Sequence, residues 1–491
     1  MTLWTKQELI SALGDEFITH NLPDKLSWEA SIDETIIDSR KAAKNKLFIA
    51  LKGENHDAHN FLDQVFENDC EIAIIDREED FEKFKTPLSE NKIPKNKMPK
   101  NKMILVKNTF VALYKLAEFS RNRSSAKIIG ITGSVGKTGT KEMLNAAFST
   151  QGKTFATVGN LNNHIGLPLS LCNFSKDCEY GIFEMGMNHL GEIAPLSNLA
   201  KPHLAIITNV GPVHIENFKN EEEIAIAKSE IFSGLTKEGI ILINQDNKHF
   251  EFIKDKALNF KISKNKIFSF GKNKSSNYQL LNIAIKSSEL SEVKVKTKND
   301  IEISYEISTS HKATIFNSII VLACLDLLGH NVKKGILTFK DLENSKGRGK
   351  IFQAKFDNKR VTIIDDSYNA SVLSMHAGLE HAISLKNALN KNRVVVALGD
   401  MLELGDKSSE LHEEVVGYIQ KLKIDFAILV GEKMTLAAKK LDKNICTVFP
   451  DSQTASLGIA SLLKDGDILY IKGSRGTKME KIIEKINNLS S

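Results

Sequence analysis

The sequence predicts an α/β protein of three domains, and three observations predict it. A chain of 491 residues, 42% of them hydrophobic, exceeds what one core usually holds and supports roughly three domains that each bury their own. From Lys127 to Lys141 an apolar run enters a glycine-rich turn and leaves it as a helical pattern. From about residue 338 onward strand, loop and helix alternate, which predicts a doubly wound, Rossmann-like sheet. The domains expected are therefore 1–107, 108–337 and 338–491.

In the first domain, Thr5 followed by Glu8 has the spacing of a helix capping box. K-L-F-I-A-L at Lys46–Leu51 and E-I-A-I-I-D at Glu71–Asp76 read as strands. Beside them stand I-D-S-R (Ile37–Arg40) and the polar cluster Leu51–Phe61, which is either a solvated turn or the rim of a ligand site. Residues 91–103 repeat N-K-I-P-K, N-K-M-P-K, N-K-M. Proline excludes regular structure there and five lysines without an acid disfavour burial, so the repeat reads as an exposed insertion.

The helical pattern after residue 108 leads to Lys127–Lys141, K-I-I-G-I-T-G-S-V-G-K-T-G-T-K. Glycines 133, 136 and 139 let backbone N–H groups approach phosphate oxygens. The helix N-terminus adds positive potential, Lys137 reaches the β/γ-phosphates, and Ser134 and Thr138 supply hydroxyls, that of Thr138 for Mg²⁺. Ile131 occupies the position where the strict G-x-x-x-x-G-K-[ST] spacing has glycine, so the loop is a variant of that motif. The reading is ATP-driven chemistry. Further strands are expected at Gly181–Met185, Leu204–Thr208 and Gly239–Ile243. Polar residues follow the first two: Glu184 with Asn188 and His189, then Thr208 with Asn209 and His214. Carboxyl ends of strands are where α/β sheets bind ligands. Glu184 suits Mg²⁺ as an oxygen ligand. His214 and Lys228, taken singly, read more readily as a structural histidine and a solvated lysine; their placement after successive strands of one P-loop domain shifts the reading toward a site.

In the third domain V-V-V-A-L-G-D-M, F-A-I-L-V-G-E-K-M and I-L-Y-I-K-G-S-R-G each precede helix-like segments, without a G-x-G-x-x-G turn. Composition narrows the function further. The net charge of +5 is concentrated in the lysine repeat, so a general nucleic-acid surface is not expected. Five scattered cysteines without a C-x-x-C pair fit a reducing cytosol, and no apolar run reaches membrane-spanning length. A cytoplasmic enzyme without integral membrane association is the expectation.

Through all three domains the chain resembles the Mur ligases of peptidoglycan synthesis. The similarity is carried by I-D-S-R and L-K-G-E-N-H-D-A-H, then T-G-S-V-G-K-T, G-N-L-N-N-H-I-G, E-M-G-M-N-H-L-G-E-I, T-N-V-G-P-V-H-I-E and A-K-S-E-I-F. In the third domain it runs through I-D-D-S-Y-N-A, L-G-D-M-L-E-L-G and K-G-S-R-G. The resemblance implies a central P-loop ATPase domain flanked by a UDP-substrate domain and a Rossmann-like domain. It also implies ATP and Mg²⁺ as cofactors, and phosphorylation of a peptide carboxylate followed by attack of an amine. Within the family, G-N-L-N-N, N-H-L-G-E-I, D-D-S-Y-N-A and L-G-D-M-L-E-L-G imply a member that joins D-Ala-D-Ala to a UDP-N-acetylmuramoyl-tripeptide; a monomer is expected.

The resemblance also implies residue roles. Lys137 and Thr138 would serve the phosphates and Mg²⁺, Glu184 a first Mg²⁺, and His214 with a carbamylated Lys228 a second metal region. Asn317, Arg348, Asp366 and Tyr368 would contact the nucleotide. Ser39 and Arg40 would hold the UDP-sugar, with Asn162, Asn163, Asn188 and His189 as further substrate contacts. Thr314 departs from the family's asparagine near the adenine pocket, and Ser371 stands where the family has proline.

Overall fold

The computed structural model describes residues 2–22, 31–85, 102–342 and 347–490. It divides into two compact units. The first comprises Met1–Ile129, Gly152–Met185 and Pro195–Pro202, and the second Gly130–Gln151, Gly186–Ala194 and His203–Ser491.

The first unit opens with the expected capping box: the Thr5 side chain accepts from Glu8 N, and the Glu8 carboxylate accepts from Thr5 N at the start of the helix Lys6–Leu13. Five strands follow, β1 (Phe17–His20), β2 (Glu34–Ile36), β3 (Lys46–Ile49), β4 (Ile72–Ile75) and β5 (Met103–Val106), in the order β1-β5-β4-β3-β2. All but β1 run parallel to their neighbours. Parallel strands are covered on both faces, which is why β4 is the unbroken apolar run I-A-I-I. Residues 91–101 of the lysine repeat lie outside the described residues. Its last two do not fit an exposed insertion: Met103 is buried at the start of β5, the carbonyl of Lys102 accepts from Ala73 N, and its ammonium pairs with Glu71. Apolar packing on β4 overrides the local composition there.

β6 (Lys127–Thr132) begins in this unit, which also holds the parallel pair β7 (Thr154–Ala156) and β8 (Tyr180–Glu184). The N-terminal segment is anchored to these elements. Trp4 donates its indole N–H to Cys172 O at 3.0 Å under the Arg123 guanidinium, and Asn173 bonds both the N–H and the carbonyl of Thr35.

In the second unit β9 (Leu204–Ile207), β10 (Ile240–Asn244), β11 (Ile267–Gly271) and β12 (Tyr278–Ile285) run parallel. They continue into the antiparallel β13 (Ser291–Lys296) and β14 (Glu302–Ile307). The chain then forms β15 (Lys350–Phe356), β16 (Lys359–Asp366), β17 (Val394–Gly399), β18 (Phe426–Val430), β19 (Cys446–Phe449) and β20 (Ile468–Lys472), in the order β15-β16-β20-β17-β18-β19. This sheet is parallel except for β15, as a doubly wound reading expects of all but an edge strand. The β15–β16 hairpin turns on Asp357 and Asn358, both left-handed at φ 46° and 60°. Its core packs Val395, Ala397, Ile428, Leu469 and Ile471 against the helices Ser452–Leu462 and Glu480–Ser490.

Among the described residues no helix is long and apolar enough to cross a membrane. All five cysteines are free, and Cys70, Cys172, Cys178 and Cys324 are buried.

Candidate active site

The loop after β6 is shaped by its neighbours in the second unit. Gly133 has φ 152°, and a Cβ there would stand 1.9 Å from Thr208 Oγ1, so only glycine fits. Thr208 donates its hydroxyl to Val135 O at 2.5 Å and its N–H to Thr132 O at 3.0 Å. Ser134 donates N–H to Asn209 O at 2.8 Å, and its hydroxyl bonds Gly211 O at 3.0 Å. The loop is thus fixed by the T-N-V-G segment that follows β9. Gly136, left-handed at φ 87°, caps the helix Lys137–Ser149. Met143, Leu144, Ala147 and Phe148 are its buried face, as the sequence pattern required. Lys137 Nζ donates to Gly133 O at 2.6 Å, folding the cation back over the loop. Thr138 and Gly139 lie in the first turn beside it.

Lys228 lies in the last turn of the helix Glu221–Ser229 and is 3% exposed. It is not the solvated lysine that an amphipathic helix would suggest. Burial, and then the charge of Lys137, hold its ammonium well below the usual lysine range, which favours the neutral amine. His214 has left-handed backbone at φ 57° and its Nδ1 meets the Glu403 carboxylate. Burial pushes the imidazole below the ordinary histidine range; Glu403 opposes this, while Lys137 and Lys228 add to it. Lys137, His214 and Lys228, widely separated in sequence, therefore sit within one electrostatic neighbourhood.

The side chain of Asn317, on the helix Lys312–Leu327, faces the loop: its amide oxygen is 3.1 Å from where a Gly136 Cβ would stand, and its nitrogen 2.9 Å from that of Gly139. Thr314, the departure noted in the sequence, bonds His311 Nδ1 through its hydroxyl at 3.1 Å, and His311 caps this helix. The His311 ring meets His381 edge to face at 4.9 Å. Beyond it the Arg348 guanidinium stacks on the Tyr368 ring at 4.1 Å, with Arg475 at 5.7 Å. Asp366 pairs with Lys472 at 2.6 Å and accepts from Tyr470 Oη at 3.0 Å, so its carboxylate is already engaged. Ser371 heads the helix Val372–Ala388 with a reciprocal Ser374 cap, which accounts for serine at that position.

Two loops of the last sheet converge after β17 and β20. Ser474 N donates to Asp400 O, and Ser474 Oγ accepts from Leu402 N at 2.9 Å, joining L-G-D-M to K-G-S-R-G. Asp400 in turn accepts from Met434 N at 2.7 Å. Near Asn188 and His189, the Glu230 carboxylate accepts from Gly191, Ile193 and Ala194 N–H groups. The string A-K-S-E-I-F contains Glu230, but nothing in its spacing marks this carboxylate as the acceptor for a distant loop.

In the first unit Glu184 is 2% exposed and accepts from Asn162 Nδ2 at 2.8 Å. The Asn163 side chain accepts from the Ile165 and Gly166 N–H groups at the start of the helix Gly166–Cys172. Ser39 and Arg40 open a short 3₁₀ turn; Asp38 caps it and pairs with Arg40 at 2.7 Å, which holds the Asp38 carboxyl down at about 2. The polar cluster Leu51–Phe61 turns at Gly53, whose N–H reaches His56 O at 2.8 Å. Its interior was not foreseen: His59 is buried between Asp57 (2.8 Å) and Asp76 (3.1 Å), and Asp76 also accepts from the N–H and hydroxyl of Thr109. The only sequence signal was the density of polar residues beside a strand.

A family model described as the Mur ligase middle domain matches residues 131–325, and one described as the Mur ligase, glutamate ligase domain matches residues 347–475. The chain is 34% identical over 98% of its length, and 99% of the relative's, to the UDP-N-acetylmuramoyl-tripeptide--D-alanyl-D-alanine ligase of Rickettsia prowazekii. To the Bacillus subtilis protein of the same name it is 32% identical over 96% of each chain. Its fold is similar to MurF from Acinetobacter baumannii, with a TM-score of 0.82 at 28% identity over 99% of both chains. MurF ligase from Thermotoga maritima in complex with ADP aligns with a TM-score of 0.75 at 25% identity, over 93% of this chain and 97% of that one.

Proposed function

We propose, for a chain that belongs to the Mur ligase family, that it joins D-alanyl-D-alanine to UDP-N-acetylmuramoyl-tripeptide at the expense of ATP. The observation that carries this reading is the near full-length similarity to relatives of that activity, from residues before the phosphate loop to those after the last sheet. The arrangement around the loop supports it: a glycine turn that only glycine can make, a cation at Lys137 folded over that turn, and Asn317, Arg348 and Tyr368 for the nucleotide.

The reaction follows from these groups. The terminal carboxylate of the tripeptide attacks the γ-phosphorus of ATP, giving an acyl phosphate and ADP. The neutral amine of D-Ala-D-Ala then attacks the acyl carbon, and phosphate leaves as the amide forms. Both steps shift negative charge among phosphate oxygens, so Lys137 and the loop N–H groups contribute by charge stabilisation and alignment. Ser39, Arg40, Asn162, Asn163, Asn188 and His189 are assigned to the UDP-sugar and peptide.

For Mg²⁺ the donor set fits in part. Glu184 and Thr138 offer the oxygen atoms a hard cation prefers, yet among the described residues no three His, Cys, Asp or Glu side chains converge. Lys228 completes the set only in modified form. Its buried, neutral-leaning amine can attack CO₂, forming an N–C bond and releasing a proton to give a carbamate. That anion would stand with His214 in a second metal region, while Thr138 would serve Mg²⁺ at the phosphate loop and Glu184 a first Mg²⁺. Mg²⁺ bound there would draw negative charge off the phosphate oxygens. The same reading places a monomeric enzyme in the cytoplasm and divides it into domains 1–107, 108–337 and 338–491.

The test is ADP release from ATP and UDP-N-acetylmuramoyl-tripeptide with D-Ala-D-Ala, glutamate or diaminopimelate as acceptor. Turnover with D-Ala-D-Ala alone is expected. ATP hydrolysis independent of both substrates would overturn the proposal.

A further inference from the structure

Glu403 and His214 are unlike the rest of the site in one respect. Both are non-glycine residues held in left-handed backbone, at φ 61° and 57°, and their side chains meet. Left-handed conformations of such residues cost stability and persist where the surrounding structure over-determines them, most often at functional sites. The loops that carry them are brought close by Gly405, itself at φ 53°: a Cβ there would stand 2.8 Å from that of Glu216, two residues after His214. Gly211, on the same segment as His214, lies so close to Leu373 that a Cβ would be 2.2 Å from its side chain. The P-V-H-I-E and M-L-E-L-G segments are therefore packed as a matched pair.

We infer that Glu403 is a positioning residue: its carboxylate is in ion-pair contact with Nδ1 of His214, a buried nitrogen without an aligned hydrogen bond among the described residues, and by accepting that nitrogen's proton it would fix the ring's tautomer and orientation, leaving Nε2 for the reaction. A histidine whose one nitrogen donates to a carboxylate presents the other as a lone pair in a set direction. Because Glu403 follows β17 in the last sheet, whereas His214 follows β9, the ring is aligned only while these two parts of the second unit are packed together. Docking of the last sheet thereby completes the phosphate site, rather than merely supplying nucleotide contacts.

This inference rests on His214 serving the reaction, and the experiment separates the two. Glu403→Gly removes the carboxylate and also relieves the left-handed backbone; Glu403→Gln keeps an acceptor oxygen. Expected for Glu403→Gly is a melting temperature at or above the parent's, a 10- to 100-fold fall in kcat, and less than twofold change in KM for UDP-N-acetylmuramoyl-tripeptide. Glu403→Gln should recover part of the loss. Independently of turnover, imidazole ¹⁵N shifts of the ligand-free protein, assigned by the signals missing in His214→Asn, should report an Nδ1–H tautomer for His214 that becomes mixed in Glu403→Gly. An unchanged tautomer with kcat within twofold of the parent would overturn the role of Glu403, as would a melting temperature that falls in step with activity. If instead the tautomer changes while His214→Asn retains full turnover, the assignment of His214 to the reaction fails and the positioning stands.

Discussion

The Asn317 amide nitrogen lies 2.9 Å from the point where a Cβ on Gly139 would be, so the first turn of the helix Lys137–Ser149 and the Asn317 side chain share one small space. Gly139→Ala would favour the helix by about 1 kcal/mol on propensity alone. It would displace the far end of a flexible side chain, which costs the fold little. The expected result is an unchanged or slightly raised melting temperature and a several-fold higher KM for ATP, measured by phosphate release at saturating tripeptide and dipeptide.

Lys137→Ala removes the cation that folds back onto Gly133 O. Because Thr208 bonds Thr132 O and Val135 O, and Asn209 O accepts from Ser134 N, independently of this lysine, the loop should keep its shape. Turnover is expected to fall by about 100-fold or more, with circular dichroism and melting temperature close to the parent's. A folded variant with normal turnover would refute the role of the loop.

Lys228 gives a stability prediction with a definite sign. Its folded pKa is depressed, so below about 10.4 there is a window in which the unfolded chain holds a proton that the folded chain does not. In CO₂-free buffer stability therefore rises with pH through that window, by up to about 1.4 kcal/mol per pH unit. Lys228→Met should flatten this slope in denaturant titrations at successive pH values. Added bicarbonate should raise the stability of the parent without flattening this slope, since a carbamate on the folded chain still lacks the proton that the unfolded lysine holds. Lys228→Ala should lose turnover and regain part of it with short-chain carboxylic acids; rescue by amines instead would sink the carbamate.

Glu230→Ala strips the acceptor from three backbone N–H groups at Gly191, Ile193 and Ala194. A loss of about 1–3 kcal/mol in urea unfolding is expected, with Glu230→Gln intermediate because one oxygen remains. Equal stability of all three proteins would mean that water replaces the carboxylate.

What could be read from the sequence was what neighbouring residues decide together. Lys127–Lys141 announces strand, turn and helix because one continuous stretch must bind phosphate, and the Thr5–Glu8 cap is settled within one helical turn. The pairing of His214 with Glu403 joins positions 189 residues apart, and neither residue type alone marks it. Asp57, His59 and Asp76 look like turn residues until β3 and β4 align and bury the histidine. Met103 continues a repeat in sequence yet opens β5, and Lys102 just ahead of it accepts from Ala73 N, since the edge of β4 offered them a partner. Lys228 was legible only by resemblance, because a helical pattern does not reveal which face closes over a charge.

The buried thiols make the protein its own gauge of opening. Burial pushes the Cys172 and Cys324 thiols far above the ordinary cysteine range and Cys70 to about 11, so in the folded protein they carry almost no thiolate, the form that reacts with alkylating reagents. Labelling at each must wait for its surroundings to open. Cys172 stands in the first unit and Cys324 in the second, so the ratio of their labelling rates under mild denaturant would time the loosening of one against the other, with no engineered residue.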